Sequence, residues 1–359
     1  MRALTFSCFA FSLFLAHPVF CLPPTPQELV KKSPSSEKKE NETLYGNPSS
    51  FQGAKSIRSF LYGEPFLASI REEGVAFAIR STGAPLQGKL IEPSSHWRPG
   101  FRIGAGIHFD HDAWEGIVDW TYFCSNFIHS IENSFITPLF IDASSYAQVP
   151  QGFFQNAKEQ WTFSFNKLRF ALFRPYYLSK ELAIAPVIGA FAALIDQGLE
   201  ISYRSNLPSA SGVVAYQTDI ENNAWRVGPL VGTKLDWNIK NGFWISGALQ
   251  GAALYKRCTS RQRESSVGNV NGDFRILLDE NTYNIQPWVD CQLGLGWGAY
   301  FNCLRNYVEV GLIYETQYFW GELFSRTLYQ QVNGTQNRSL NSLGDLSMQS
   351  AALRIRLDF

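Results

Sequence analysis

The chain ends in a strict alternation. Leu353, Ile355, Leu357 and Phe359 are apolar, and Arg354, Arg356 and Asp358 stand between them. A period of two predicts a strand with one apolar and one polar face. The same period recurs upstream. Phe101, Ile103, Ala105, Ile107 and Phe109 share a face against Arg102, Gly104, Gly106 and His108. After a polar turn, Trp114, Gly116, Val118, Trp120 and Tyr122 lie opposite Glu115, Asp119 and Thr121. That spacing predicts an antiparallel hairpin. Val231, Leu235, Trp237 and Ile239 alternate with Gly232, Lys234, Asp236 and Asn238. Val289, Cys291, Leu293, Leu295, Trp297 and Ala299 oppose Asp290, Gln292, Gly294, Gly296 and Gly298. Val308, Val310, Leu312, Tyr314 and Tyr318 oppose Glu309, Gly311, Glu315 and Gln317.

A soluble sheet has little use for paired arginines on its inner face. A closed barrel in lipid does, because the apolar side meets acyl chains and the charges meet the interior. Several runs are also longer than the ~5–6 residues of a common soluble strand. Further strands are expected near 64–80, 158–173, 181–195, 197–205, 241–256 and 272–279. Within 161–173 the alternation slips between Phe165 and Leu168, which predicts a bulge. The expected fold is all-β, an antiparallel transmembrane β-barrel of about 12 strands, with roughly 10 to 16 compatible. Polar stretches near 125–156, 205–223, 257–271 and 321–345 read as long loops, and His111-Asp112 and Lys240-Asn241-Gly242 as short turns. Trp114, Tyr122, Trp161, Trp244, Trp288 and Trp320 are candidates for interfacial girdles, with core packing as the alternative.

Composition agrees with this pattern. Charged residues make up 17% and aromatics 15%, and the formal net charge is zero. A neutral chain offers no basic field for nucleic acid. The N-terminus reads as an export signal over 1–21: Arg2, an apolar run from Ala3 to Ala16, then Val19 and Cys21 before the cleavage point. A lipoprotein signal at Cys21 is disfavoured by bulky Phe20. Residues 22–60 are polar and rich in Pro, Ser, Lys and Glu, so a disordered segment is expected there, with the barrel over 61–359. The longest internal apolar run, Leu182 to Ile195, contains Pro186 and Gly189 and is too short for a spanning helix. Cys124, Cys258, Cys291 and Cys303 remain after export, and four cysteines allow three pairings.

The stretch Trp97-Arg98-Pro99-Gly100-Phe101-Arg102-Ile103-Gly104-Ala105-Gly106, followed by His111-Asp112-Ala113-Trp114 and Asp119-Trp120-Thr121-Tyr122-Phe123, carries a resemblance. It is similar to the early hairpin of the major-outer-membrane-protein-like (MOMP-like) barrels of Legionella and the environmental chlamydiae. Residues 66–79 resemble the first strand of that family, without the Trp frequent there. The resemblance implies an exported barrel of the bacterial outer membrane, generally regarded as pore-forming, with no catalytic residue. The terminal Leu353, Ile355, Leu357 and Phe359 resemble the signal read by the barrel-assembly machinery.

One cluster has the look of chemistry. His108-Phe109-Asp110-His111-Asp112 could hold a metal or an Asp–His pair, yet it sits where a hairpin must turn and lacks a third partner. Catalytic, cofactor and metal sites are therefore not expected. The expected function is passive diffusion of small hydrophilic solutes or ions through a porin-like channel. The alternatives are a non-conducting barrel that serves as adhesin or surface antigen and, third, a barrel hydrolase. Expected partners are outer-membrane lipid, the assembly machinery and the solutes; a homo-oligomer is compatible with the pattern. Alternation assigns Arg102, Glu115, Asp119, Lys234, Asp236, Asp290, Glu309, Glu315, Arg354, Arg356 and Asp358 to the lumen. Acids outnumber bases in that set, so a weak preference for cations is expected.

Overall fold

The computed structural model describes residues 58–81, 88–93, 95–109, 114–132, 135–140, 154–205, 215–267, 275–301, 306–330 and 337–359. Residues 1–57, where the export signal and the polar segment are expected, and Asp110, His111, Asp112 and Cys303 lie outside them. The strands are β1 (Arg58–Glu72), β2 (Ala78–Ser81), β3 (Gly88–Ile91), β4 (Arg98–His108), β5 (Glu115–Ile131), β6 (Ile136–Pro138) and β7 (Asn156–Phe173). Then come β8 (Tyr176–Tyr177), β9 (Leu182–Arg204), β10 (Ala215–Asn238), β11 (Phe243–Val267), β12 (Arg275–Phe301), β13 (Asn306–Gln330) and β14 (Asn337–Asp358).

Ten of these close into one antiparallel barrel, in the order β1-β4-β5-β7-β9-β10-β11-β12-β13-β14, with β14 returning to β1. The seam is made at the chain end: Phe359 and Ser59 exchange both backbone hydrogen bonds, at 3.0 and 3.2 Å. The short connections lie at the end that holds the termini, the periplasmic end in barrels of this kind. One of them, Asn241-Gly242, has positive φ at both residues (59° and 82°), the conformation a tight hairpin demands. At the other end two longer connections carry β2, β3 and β6, which pair into a small separate sheet.

The count is ten rather than the expected twelve or so, because two pairs of expected strands are single strands. Residues 182–195 and 197–204 of two expected strands both belong to β9, and 275–279 and 289–299 of two others both belong to β12. Much of the polar sequence expected to loop is also strand: 215–223 in β10, 257–267 in β11, and parts of 321–345 in β13 and β14. The physical reason is an exchange of faces. On β7 the outward side chains are Leu168, Phe170 and Leu172 near the termini but Lys158, Gln160, Thr162 and Ser164 near the loops. The inward ones run Arg169 and Lys167, then Phe165, Phe163 and Trp161. The period of two never breaks, and β7 pairs without a register shift with both β5 and β9. No bulge lies at 165–168. The slip in the sequence marks the level where the strand leaves the lipid. The register does shift in β13, between Phe319 and Leu323, where Gly321 takes φ +60°.

Aromatic residues bracket the lipid-facing band. Trp225, Tyr255, Tyr283, Tyr318 and Trp320 face outward at its loop side, and Trp237, Phe243 and Trp297 at its terminal side. Trp225 and Trp237 are twelve residues apart on β10 (237 − 225), which at ~3.3 Å per residue and a ~45° tilt spans about 28 Å, close to a bilayer's apolar core. Trp161, Trp244 and Trp288 point inward and are buried, so they are core residues rather than girdle residues. The glycines of β4 and β12 make room for inward rings. Tyr62 and Phe60 lie over Gly104 and Gly106, and Trp244 lies over Gly296, where any Cβ would collide with the ring.

Candidate functional site: the ionic layer of the lumen

All eleven charges assigned to the lumen lie on the inward face of their strands. They are joined by Glu64 on β1 and by Lys167 and Arg169 on β7, all buried. Their packing is dense. Arg102 donates to Glu64 at 2.8 Å, to Glu315 at 2.6 Å and to Thr121 at 2.9 Å. Arg354 donates to the other oxygen of Glu64 at 2.5 Å. Arg169 donates to Asp119 at 2.7 Å and to Gln250 at 3.1 Å, and the Tyr62 hydroxyl also donates to Asp119. Lys167 reaches Glu315 at 3.5 Å and Gln317 at 3.3 Å.

That last contact decides what the layer does. β7 and β13 are five steps apart around a ring of ten strands, so Lys167 and Glu315 meet across the full lumen. The expected wet bore is therefore crossed by side chains in this conformation. Asp290 accepts from Gln292 at 2.8 Å, while its other oxygen has no protein partner. Nearer the periplasmic rim, Lys234 pairs with Asp236 at 2.9 Å. Arg356 pairs with Asp358 at 2.7 Å, and Glu309 is beside Arg354 and Arg356. His108 sits between Glu115 at 3.2 Å and Asp358 at 3.6 Å, with Arg356 against its Nε2. Among the described residues, no three His, Cys, Asp or Glu side chains gather as metal ligands would.

Above the ionic layer the interior turns aromatic. Phe191 stacks on Trp288 at 4.5 Å, and Phe319 touches Phe165, Phe191 and Trp288 at 6.1–6.5 Å. Higher still, Arg226 is held by both oxygens of Glu322 and by Gln286, and Lys256 caps the Glu322 and Gly321 carbonyls. The small sheet packs against the barrel wall at the loop end. Its approach residue Phe77 accepts at its carbonyl from the Tyr203 hydroxyl and from Leu139 N–H, and Phe154 packs against Tyr203 and Tyr216.

Glu64, Lys167 and Arg169 escaped the sequence reading because they lie in strands whose pattern was faint or changed faces. The signal was present for two of them: Lys167 and Arg169 alternate with Leu168 and Phe170. Cys124 and Cys291 face outward and Cys258 inward, all as free thiols.

A family model described as the Legionella pneumophila major outer membrane protein precursor matches residues 65–349. None of the curated proteins matches. Among solved structures, the outer membrane protease OmpT from Escherichia coli is similar at TM-score 0.38 and 9% identity, over 84% of this chain and 96% of that one. The Ralstonia pickettii toluene transporter TbuX gives 0.29 and 10%, over 85% and 90%. A Pseudomonas aeruginosa FadL homologue gives 0.26 and 7%, over 84% and 90%. Likenesses this distant carry no argument about activity.

Proposed function

We propose, for a chain that belongs to the family of the Legionella pneumophila major outer membrane protein and so resides in a bacterial outer membrane, the function of a gated channel for small hydrophilic solutes and ions. The observation that carries this reading is the ionic layer. Ionisable groups from β1, β4, β5, β7, β12, β13 and β14 converge at the level of the lipid band. Buried ion pairs are a poor way to stabilise a core, since apolar packing of the same volume does as well or better. Ionisable groups at membrane depth mark a polar route by default. The layer is made of side chains rather than a backbone plug, so parting the Lys167–Glu315 contact requires only rotamer changes at that level. Acids again outnumber bases: Glu64, Glu115, Asp119, Asp236, Asp290, Glu309, Glu315 and Asp358 stand against Arg102, Lys167, Arg169, Lys234, Arg354 and Arg356. A modest cation preference follows. The proposal includes no catalytic step.

The second reading is a non-conducting barrel that presents its loop end as a surface antigen or adhesin. The aromatic stack of Phe165, Phe191, Trp288 and Phe319 favours it, because it fills the bore above the ionic layer. Ten strands also lie nearer the filled barrels of about eight than the open ones of about 16. Planar-bilayer recording separates the two. The gated reading expects long silent periods, brief small openings and a reversal potential shifted toward cations. Lys167→Ala with Glu315→Ala should raise the open fraction at least threefold. Silence from both folded proteins would establish the second reading.

A further inference from the structure

Arg257 is an exposed cation at the outer edge of the lipid band. Trp225 of β10, Arg257 of β11 and Tyr283 of β12 lie in one register row, all turned outward. Tyr255 stands one outward position below Arg257. Its ring is 5.8 Å from that of Trp225 and 6.5 Å from that of Tyr283, so the three form a continuous shelf. Arg257 holds its guanidinium over Tyr283, 5.6 Å from the ring centre. Trp and Tyr of such a shelf sit at the headgroup level of a bilayer, and Arg257 is held at the same level.

The charge of Arg257 is not answered by the protein. Among the described residues no carboxylate pairs with it. Its outward neighbours one position higher are Asn223, Thr259 and Asn281, and one position lower Val227, Tyr255 and Ile285. The first outward acids above it on these strands, Glu221 and Asp279, are in register with Arg261, and Arg261 takes Asp279 at 3.5 Å. A ring face attracts a cation but leaves its charge and its N–H donors in place. Other strands meet the same level with acids. Tyr318 donates its hydroxyl to Asp345 at 2.7 Å, and Asp196 is the first outward residue above Leu194, which is in register with Trp225.

We infer that Arg257 anchors the phosphate group of a phosphate-bearing lipid in the outer leaflet. The guanidinium offers a planar fork of N–H donors that fits two phosphate oxygens. Asn281 accepts from Thr259 Oγ1 at 2.8 Å through its carbonyl oxygen, which leaves its amide N–H groups for another acceptor beside Arg257. The acyl chains run down the wall over Val227, Tyr255 and Ile285, all exposed. That apolar half of the site selects a lipid over free phosphate. The loop end is the outer one, because the termini and the short connections mark the periplasmic end. The inference is independent of whether the lumen conducts.

Native mass spectrometry of the full chain tests it, with the barrel refolded in detergent micelles doped with diphosphoryl lipid A or with the same lipid stripped of its phosphates. The natural barrel should retain the phosphorylated lipid about fivefold more often than the stripped one. Arg257→Gln should abolish that preference, and Arg257→Lys should keep part of it, since the charge remains without the fork. Arg71→Gln removes an exposed guanidinium that is already paired with Glu92 and should change nothing. Excess inorganic phosphate should not displace the lipid. Equal retention of the two lipids, an unchanged preference in a folded Arg257→Gln barrel, an equal loss in Arg71→Gln, or displacement by inorganic phosphate would overturn the assignment. Should Arg257→Gln fail to fold, the comparison of the two lipids on the natural barrel decides alone.

Discussion

The lower and upper halves of the barrel are built from the same strands with their faces exchanged. In the lower half, β9 turns Ile184, Ile188 and Leu194 outward; in the upper half it turns Asp196, Glu200 and Arg204 outward. The inward face of β9 is mostly apolar in both halves, and that of β7 does the reverse of the outer one, with Arg169 and Lys167 below and Phe163 and Trp161 above. The lower half obeys the rule of a barrel in lipid, and the upper half obeys the rule of a soluble β-protein. A strand is indifferent to which of its faces is apolar. The medium around it decides, and the medium changes at the girdle of Trp225, Tyr255 and Tyr283. The two halves therefore hold themselves together differently: the upper by burial of rings, the lower by lipid outside and ion pairs within.

Substitutions that treat the halves unequally sharpen this contrast. The largest effect is expected in the upper core. Trp161 is 2% exposed and stacked on Phe127, so Trp161→Ala should cost about 3–5 kcal/mol. Trp297→Ala, on the outer girdle, should cost far less. Urea unfolding of refolded barrels, followed by the electrophoretic shift of the folded form, reads both. A smaller effect follows from placing a charge on the outside. Val231→Arg, midway between Trp225 and Trp237 on β10, meets lipid and should cost about 2–4 kcal/mol near the midplane. Gln160→Arg sits on the outward face of β7 above the lipid, and should change stability by no more than about 0.5 kcal/mol. Equal costs at the two positions would remove the boundary drawn at the girdle.

The lower half was legible in the sequence and the upper half was not, for the reason just given. Leu353 to Phe359, Phe101 to Ile107 and Val289 to Ala299 show clean alternation because lipid demands an apolar outer face at every second residue. Above the lipid, segments such as 257–264 alternate between Arg or Thr outside and Cys, Ser, Gln or Glu inside, which is polar on both faces and reads as loop. β9 and β12 each looked like two strands because the outer face of β9 turns polar at Asp196, and β12 is polar on both faces from Asp279 to Thr282. Faces could be read for the eleven lumenal charges, and the structure places them inward. Whether they line a bore or fill it depends on the barrel's width, and width follows strand number, the quantity hidden by the exchange of faces. The Lys167–Glu315 contact spans 148 positions of sequence, and no local pattern foretells it.

The smallest expected effect separates the halves by their buried charges. In the lower half each buried acid named above has a cation nearby. In the upper half Glu159, 1% exposed on β7, has neither carboxylate oxygen hydrogen-bonded, and it lies between His129 and Ile201 in register. Burial pushes its carboxyl up to about 9, against ~4.3 for a free glutamic acid. The folded state thus holds a proton that the unfolded chain has lost across this window. Stability falls as pH rises from about 4.3 toward 9 and levels off above it. Glu159→Gln keeps the shape and cannot ionise. It should therefore match the natural barrel near pH 4 and exceed it by about 1–3 kcal/mol at pH 8. Thermal unfolding at the two pH values measures the difference. A variant that gains nothing at pH 8 would mean that Glu159 is paired when ionised, and that the upper core tolerates charge as the lower one does.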